Sequence, residues 1–254
     1  MITTERVLLA QLKARIVEHL ATDLSAPIES FLEDHIVDSA HYQLLIDGQV
    51  AGFASVYKGE LLTQFAVVRR FRPISTDLFA AARQLEAVKM AFVPTCDDLF
   101  LSHALDVSVK VEKQAYIWQT GDGVISAENL TLQTATPADQ PLIIAQTGDF
   151  FGDLPTVINQ GNLFVGYRNN APVGFGIIEP SRFYPATGSV GMFTLEQHRK
   201  QGVGTDLICA LIHECRRRDL RPVAGCYYYN HASRNTLLKV GMFSQTRLLK
   251  IYFE

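Results

Sequence analysis

The sequence predicts an α/β (α+β) fold made of two copies of one unit. Three observations carry that expectation. Hydrophobic residues make up 48% of the 254 and charged residues 19%, a balance that supports a packed core in one large domain or two ordinary ones. The hydrophobic period switches between helical and strand-like along the chain. The order of elements in the first half then recurs in the second, the sign of an internal repeat.

Leu8, Leu12, Ile16 and Leu20 recur every four residues and predict a helix, which Ser25-Ala26-Pro27 breaks. A shorter helix is expected from Ile28 to His35. From His41 the period changes. Tyr42 to Ile46 reads as a strand, Asp47-Gly48 as a hairpin turn, and Val50 to Tyr57 as the returning strand. A strand at Leu61 to Val68, a helix from Thr76 to about Met90, and strands at Leu99–Leu101 and Ala115–Trp118 complete the first half. Gln119-Thr120-Gly121-Asp122-Gly123 marks the boundary, with a linker at about 119 to 129. Domains are therefore expected at 1–120 and 130–254. In the second half Leu163 to Tyr167, the turn Arg168-Asn169-Asn170, and Val173 to Ile178 repeat the hairpin. Gly174-Phe175 matches Gly52-Phe53. Val190 to Leu195 matches Leu62 to Val67, with Phe193 opposite Phe65, and a helix follows at Thr205 to Arg218.

The 23 basic and 26 acidic residues leave a net charge of −3, too small to attract nucleic acid or an anionic membrane by a global field. The run Arg216-Arg217-Arg218 is expected to be a solvated helix face. Cys96, Cys209, Cys215 and Cys226 form no CxxC pair and no Cys/His metal spacing, so buried free thiols and no metal are expected. No apolar segment follows the N-terminus as in a signal peptide, and none approaches the roughly 18 apolar residues of a membrane span. The expectation is a soluble, cytoplasmic monomer or homodimer with no nucleic-acid or membrane partner.

Chemistry concentrates between Gly191-Met192-Phe193-Thr194-Leu195, a strand, and the helix that buries Leu207, Ile208, Leu211, Ile212 and Cys215. Gly202 and Gly204 stand at the start of that helix, where backbone N–H groups lack partners and the dipole is positive. Without Cβ atoms they allow close approach of an anion, and Arg199 and Lys200 add charge. The site suits a pyrophosphate. Gly202-Val203-Gly204-Thr205 lacks the Gly-Lys-Ser/Thr of a Walker loop, and no third glycine completes a dinucleotide fingerprint. The pattern that remains is R-x-x-G-x-G.

That pattern, Arg199-x-x-Gly202-x-Gly204, resembles the signature of the GNAT superfamily of acyl-CoA N-acyltransferases. Asn230-His231-Ala232-Ser233, after the expected strand Cys226 to Tyr229, and Lys239-Val240-Gly241-Met242-Phe243 resemble its second element. The resemblance covers about 130 to 254. It implies two GNAT-like lobes, each a mixed, mostly antiparallel splayed sheet flanked by helices. It implies acetyl-CoA as co-substrate, with a small-molecule or peptide amine as acceptor; a catalytically weak acyl-CoA-binding sensor and acetylation of a protein N-terminus or lysine are the alternatives. By the same resemblance Phe193 and Thr194 offer backbone groups to pantetheine. Backbone N–H groups from Gln201, Gly202, Val203, Gly204 and Thr205, with Arg199 and Lys200 alongside, hold the pyrophosphate, while Asn230 and Ser233 lie near the pantetheine arm. An ordinary strand-to-helix turn with Asn230 as a helix cap is the alternative for these residues.

The position where many relatives carry a proton-donating tyrosine is Leu237 here. Tyr228 is the expected replacement acid, with Tyr227 and Tyr229 as alternatives, two of the three sharing a strand face. Glu179 is the expected general base, with Glu196 as alternative. Any of these tyrosines could instead serve packing, and either carboxylate could be only a surface group. His198 and His231 read as loop residues. Opposite Arg199 to Gly204 the first half has Phe71-Arg72-Pro73-Ile74-Ser75-Thr76. It lacks both glycines, and Pro73 removes a backbone donor. Ala104 to Lys113 lacks the Asn and the glycine of the second element. The first half is therefore expected to have lost CoA binding.

Overall fold

A computed structural model of the chain describes residues 1–121, 123 and 130–254. Most of the expected linker, Asp122 and residues 124–129, lies outside the described residues. In chain order the elements begin with β1 (Ile2–Val7), α1 (Leu9–Thr22), α2 (Ser30–Val37), β2 (Ala40–Ile46), β3 (Gln49–Tyr57) and β4 (Leu61–Val67). Then come α3 (Ser75–Arg83), β5 (Met90–Pro94), α4 (Asp98–Asp106) and β6 (Ser108–Thr120). The second half holds β7 (Thr131–Thr134), α5 (Gln140–Thr147), α6 (Leu154–Asn159), β8 (Leu163–Arg168), β9 (Ala171–Pro180) and β10 (Thr187–Thr194). It closes with α7 (Val203–Arg217), β11 (Arg221–Tyr227), α8 (His231–Lys239) and β12 (Met242–Phe253).

These elements form two compact units. The first comprises Met1–Ile117, Arg182–Tyr184 and Thr246–Glu254; the second comprises Trp118–Ser181 and Pro185–Gln245. In the first unit the strand order is β1-β2-β3-β4-β5-β12-β6. β1 to β4 are antiparallel neighbours, β4 and β5 are parallel, and β5 and β12 are antiparallel. The four-residue stripe of α1 buries Leu12, Ile16 and Leu20 as its period dictates. Asp47 and Gly48 both take positive φ, 48° and 77°, as a two-residue hairpin turn requires.

Three elements depart from expectation. Leu99–Leu101, read as a strand, lies in α4, whose cap is the Asp97 carboxylate accepting the Phe100 N–H at 3.1 Å. Three apolar residues are too few for periodicity to separate strand from helix. The helix expected to run to about Met90 stops at Arg83, and Met90 opens β5. β1 was not anticipated because only Ile2 and Val7, at its two ends, are half-buried, so it shows no alternation.

His19, on α1, is buried with both ring nitrogens against carboxylates. Nε2 lies 3.0 Å from Asp97 Oδ2 and Nδ1 3.3 Å from Asp23 Oδ2. Both nitrogens can donate only in the imidazolium form. Burial alone would lower the His19 pKa; the hydrogen bonds and charges of Asp97, and then of Asp23, outweigh it and raise the pKa above its usual 6.5.

The second unit has the strand order β11-β10-β9-β8-β7. All its neighbours are antiparallel except β10 and β11. Asn169 and Asn170, at φ 49° and 63°, make the equivalent hairpin turn. α7 buries Leu207, Ile208, Leu211, Ile212 and Cys215 on one face. All four cysteines are free and buried, and burial pushes the Cys209 thiol up to about 11. The basic run on α7 is not simply solvated. Arg217 and Arg218 both reach Glu214. Arg218 also donates to the Gly161 carbonyl at 2.9 Å and lies 5.0 Å from the Phe164 ring centroid, so it ties α7 to the start of β8. Among the described residues no helix is long and apolar enough to cross a membrane, and no group of three or more His, Cys, Asp or Glu could hold a metal ion.

Because the folded pKa of His19 is raised, its contribution to stability is fully present below about pH 6.5 and is lost as pH rises through the folded value. In denaturant titrations the stability gap between wild type and His19→Asn is expected to be largest near pH 6 and to narrow towards pH 9. A gap independent of pH would mean that the ring is neutral when folded.

Candidate functional site

β10 pairs with β11 through Thr187–Arg221, Gly188–Pro222 and Ser189–Val223. Beyond that point β10 continues on β9 alone, as far as Thr194 against Gly174. The parting strands open a cleft of about 630 Å³, walled by Val190 to Thr194 on one side and by Ala224 to Tyr227 on the other. The Leu195 N–H donates to the Val173 carbonyl, on the β9 side. A residue in a β-ladder points its N–H and C=O the same way, and neighbours alternate. Met192 and Thr194 therefore turn their backbone groups to the cleft, whereas Phe193, expected to offer its own there, turns them to β9. Arg199 Nε, 3.4 Å from the Thr194 carbonyl, lies on the cleft side.

The end of the cleft is the loop from Leu195 to Gly202 and the start of α7. Lys200 and Gly202 take left-handed backbone, at φ 61° and 79°. The two glycines have different reasons to be glycine. A Cβ on Gly202 would meet nothing closer than 3.8 Å, so its backbone angle alone requires it. A Cβ on Gly204 would lie 3.1 Å from Met192 Cε and 3.3 Å from Thr194 Oγ1. Gly204 thus lets the first turn of α7 sit close against β10. Arg168, at the end of β8, fixes the loop from behind: it donates to the Gln201 carbonyl at 3.0 Å and pairs with Asp206 in the first turn of α7.

Of the residues singled out in the sequence, Phe193, Thr194, Arg199, Lys200, Gly202, Val203, Gly204, Thr205, Asn230 and Ser233 all line this cleft. Gln201 does not; its side chain bonds the Gln197 carbonyl at 2.9 Å. The Asn230 side-chain oxygen accepts the Ser233 N–H at 3.1 Å and so caps α8. Leu237, 2% exposed, lies in the wall. The expected acid and base fall elsewhere. β11 ends at Tyr227, and Tyr228 and Tyr229 form the turn after it, so the three tyrosines do not alternate along one strand. Tyr227 lines the cleft and is 55% exposed; Tyr228 is not among the lining residues. Glu179 stands opposite Ser189 on β9, at the paired end of the strands, outside the cleft wall. Among the described lining residues there is no carboxylate, whereas Arg199, Lys200 and Lys239 are all present.

Sequence reasoning missed Arg168, whose position before an Asn-Asn turn carries no signal of its reach to Gln201. Phe150 is 56% exposed, lines the cleft, and packs 5.6 Å from the Phe193 ring. Cys226, also in the wall, accepts the Trp118 Nε1 hydrogen at 3.3 Å.

The first unit uses the same register device. Gly52 pairs with Val67 as Gly174 pairs with Thr194. In each case a Cβ would crowd a carbonyl oxygen on the neighbouring strand, at 2.3 Å from Ala66 and 2.5 Å from Phe193. By this pairing Ala66, not Phe65, stands where Phe193 stands, a shift of one residue from the sequence alignment. The shift is absorbed in the loop, since α3 begins one residue sooner after its strand than α7 does. Ile74 still precedes α3 as Gly202 precedes α7, with an ordinary φ of −117°. Ser75, in the first turn of α3, bonds His103 Nε2 on α4 at 2.8 Å. Phe79 stacks on that ring at 5.6 Å, and Phe65 lies 4.9 Å from Phe79.

Residues 12–121 match the model described as "Acetyltransferase (GNAT) domain", and residues 133–242 match "Acetyltransferase (GNAT) family". The chain belongs to the GNAT acetyltransferases and carries two tandem GNAT domains. A GNAT-family acetyltransferase from Colwellia psychrerythraea shares the fold with a TM-score of 0.88 at 18% identity, over 100% of both chains. A tandem GNAT protein from the clavulanic acid biosynthesis pathway, solved without AcCoA, aligns with a TM-score of 0.67 at 15% identity, over 99% of this chain and 98% of that one. A GCN5-related N-acetyltransferase from Sphaerobacter thermophilus gives 0.68 at 12% identity, over 99% and 95%. No curated protein matches the sequence. The fold supports acyl transfer from acyl-CoA.

Gly202→Ala should cost about 1 kcal/mol in denaturant-measured stability, because alanine is strained at left-handed φ. Gly204→Val should also destabilise, by prising α7 from β10. Wild-type stability in both variants would refute the reasons given for these glycines.

Proposed function

We propose that the second unit transfers the acetyl group of acetyl-CoA to a primary amine of a small molecule or peptide. The observation that supports this reading is the cleft where β10 leaves β11, closed at one end by the Lys200–Gly204 loop. The N–H groups at the start of α7, with Arg199 and Lys200, suit the donor's pyrophosphate. The Met192 and Thr194 edge suits hydrogen bonds to the amide groups of the pantetheine arm. Asn230 and Ser233, at the α8 cap, border the same channel.

In the reaction the unprotonated amine attacks the thioester carbonyl carbon. A C–N bond forms, the oxygen takes the negative charge, and collapse breaks the C–S bond. The edge N–H of Met192 or Thr194 is a preorganised donor for that oxygen. Tyr227 takes the place of Tyr228 as the proposed acid, because its side chain is on the cleft wall: its hydroxyl proton goes to the departing sulfur. With no carboxylate among the described residues of the wall, the amine's surplus proton goes to solvent at the open mouth, and Glu179 has no part in the chemistry. Phe150 and Tyr227 give the acceptor apolar surfaces to lie against. In the first unit the Phe65–Phe79–His103 core and Ile74 replace the cleft and its glycine, which supports a lobe that binds no CoA.

A weakly catalytic acyl-CoA-binding role is the second reading, favoured by Leu237 in the wall. Titration of the full chain with acetyl-CoA, followed by thiol release over an amine panel, separates the two. Binding without turnover on any amine favours the second; no binding sinks both. Gly202→Trp is expected to abolish binding with the fold retained. Tyr227→Phe should lower kcat about 10- to 100-fold with little change in KM for acetyl-CoA, and Glu179→Gln should leave kcat within about twofold. The rate should climb with pH towards the amine's own pKa. An inflection abolished by Glu179→Gln would restore that residue as the base.

A further inference from the structure

The first unit contains a second cavity that the acyl-transfer reading does not use. It measures about 480 Å³ and lies between α1 and the adjoining ends of β3 and β4, a volume typical of small-molecule sites. Its helix wall is the polar face of α1: Arg15, Glu18, His19, Thr22 and Asp23 recur three and four residues apart and so share one side. The apolar face of the same helix, Leu12, Ile16 and Leu20, is already buried in core. The polar face therefore looks across open space at an apolar floor of Val50, Phe53 and Ala66. A merely solvated helix face would not have a sheet floor opposite it.

The charges on this wall are fixed by a network. His19 is held by Asp97 and Asp23, and Asp23 in turn accepts from Arg72 at 2.9 Å and lies 3.8 Å from Arg69. The carboxylates of Asp23 and Asp97 are thereby spent on cations of the protein. Arg15, His19, Arg69 and Arg72 stand against Glu18, Asp23 and Asp97, an excess of one positive charge (4 − 3). Arg15 and Arg69 are exposed at the mouth, and Phe53 presents a ring in the floor, held edge-on to His19 at 5.8 Å.

We propose that this cavity is a binding site for a small organic anion: a single carboxylate or phosphate head held by Arg15 and Arg69 at the mouth, on an apolar body packed over Phe53 and Ala66. Guanidinium groups match either head group in geometry. The cavity is independent of the acetyl-CoA cleft, so the proposal stands or falls apart from the catalytic reading.

The test is calorimetric titration of the full chain with 3-phenylpropionate, phenyl phosphate and phenethylamine. Either anion is expected to bind, and the tighter of the two identifies the head group. Arg15→Gln/Arg69→Gln should weaken that binding at least about tenfold with an unchanged circular dichroism spectrum, whereas Lys13→Gln, off the polar stripe, should leave it unchanged. Phenethylamine binding as tightly as the anions would overturn the charge assignment. No binding of either anion, or full affinity in the double variant, would overturn the site.

Discussion

The parting of β10 from β11 after Ser189 and Val223 is the constraint from which the candidate site follows. A strand that loses its neighbour exposes a row of N–H and C=O groups, and such groups are costly if sealed from both water and partners. Here the row opens into a cleft of about 630 Å³, so it stays hydrated or meets a ligand. The loop at its end depends on the same geometry. α7 can start close to β10 only because residue 204 has no side chain, and the loop can turn into the helix only because residue 202 accepts φ 79°. Arg168 then holds that turn by its carbonyl at Gln201 and by Asp206.

The first unit shows what the same frame does without those concessions. β4 is buried along its whole length, Phe65, Phe79, Phe100 and His103 pack together, and Ser75 satisfies the one polar ring among them. Burial lowers the His103 pKa, consistent with a neutral ring in an aromatic core. Such packing stabilises its unit. On the proposed reading, two domains of one family would differ by whether a few side chains fill a gap, which is why fold alone does not carry function.

Much of this was legible in the sequence. Gly202 and Gly204 could be read because a glycine at a strand-to-helix junction has few other purposes, and Asn230-x-x-Ser233 because a side-chain cap leaves a local pattern. The hairpins at Asp47-Gly48 and Asn169-Asn170 were readable for the same reason: their chemistry is local. What escaped depends on distance in sequence. Arg168 acts on a loop 33 residues away, and nothing near it says so. Whether Tyr227 or Tyr228 faces the cleft depends on where β11 ends, and boundaries are the least determined part of any periodic pattern. The slip that sets Ala66, not Phe65, at the level of Phe193 is invisible without the register of Gly52 on Val67. The cavity beside α1 is of the same kind, since a polar helix face reads as solvated until a floor is found opposite it.

The absence of carboxylates among the described residues of the cleft wall has a physical logic on the proposed reading. A donor carrying several phosphate charges binds where Arg199, Lys200 and Lys239 set a positive field, and an ionised carboxylate placed in that field would pair with those cations or repel the donor. A phenol such as Tyr227 avoids the conflict. On that reading its proton goes to the sulfur as the C–S bond breaks. A thiolate is a tolerable leaving group even unaided, so the loss of the tyrosine at Leu237 need not stop the reaction. Position and a hydrogen bond to the developing oxyanion then supply most of the acceleration. The chemistry thus comes to rest on the same edge of β10 that the parting of the strands laid bare.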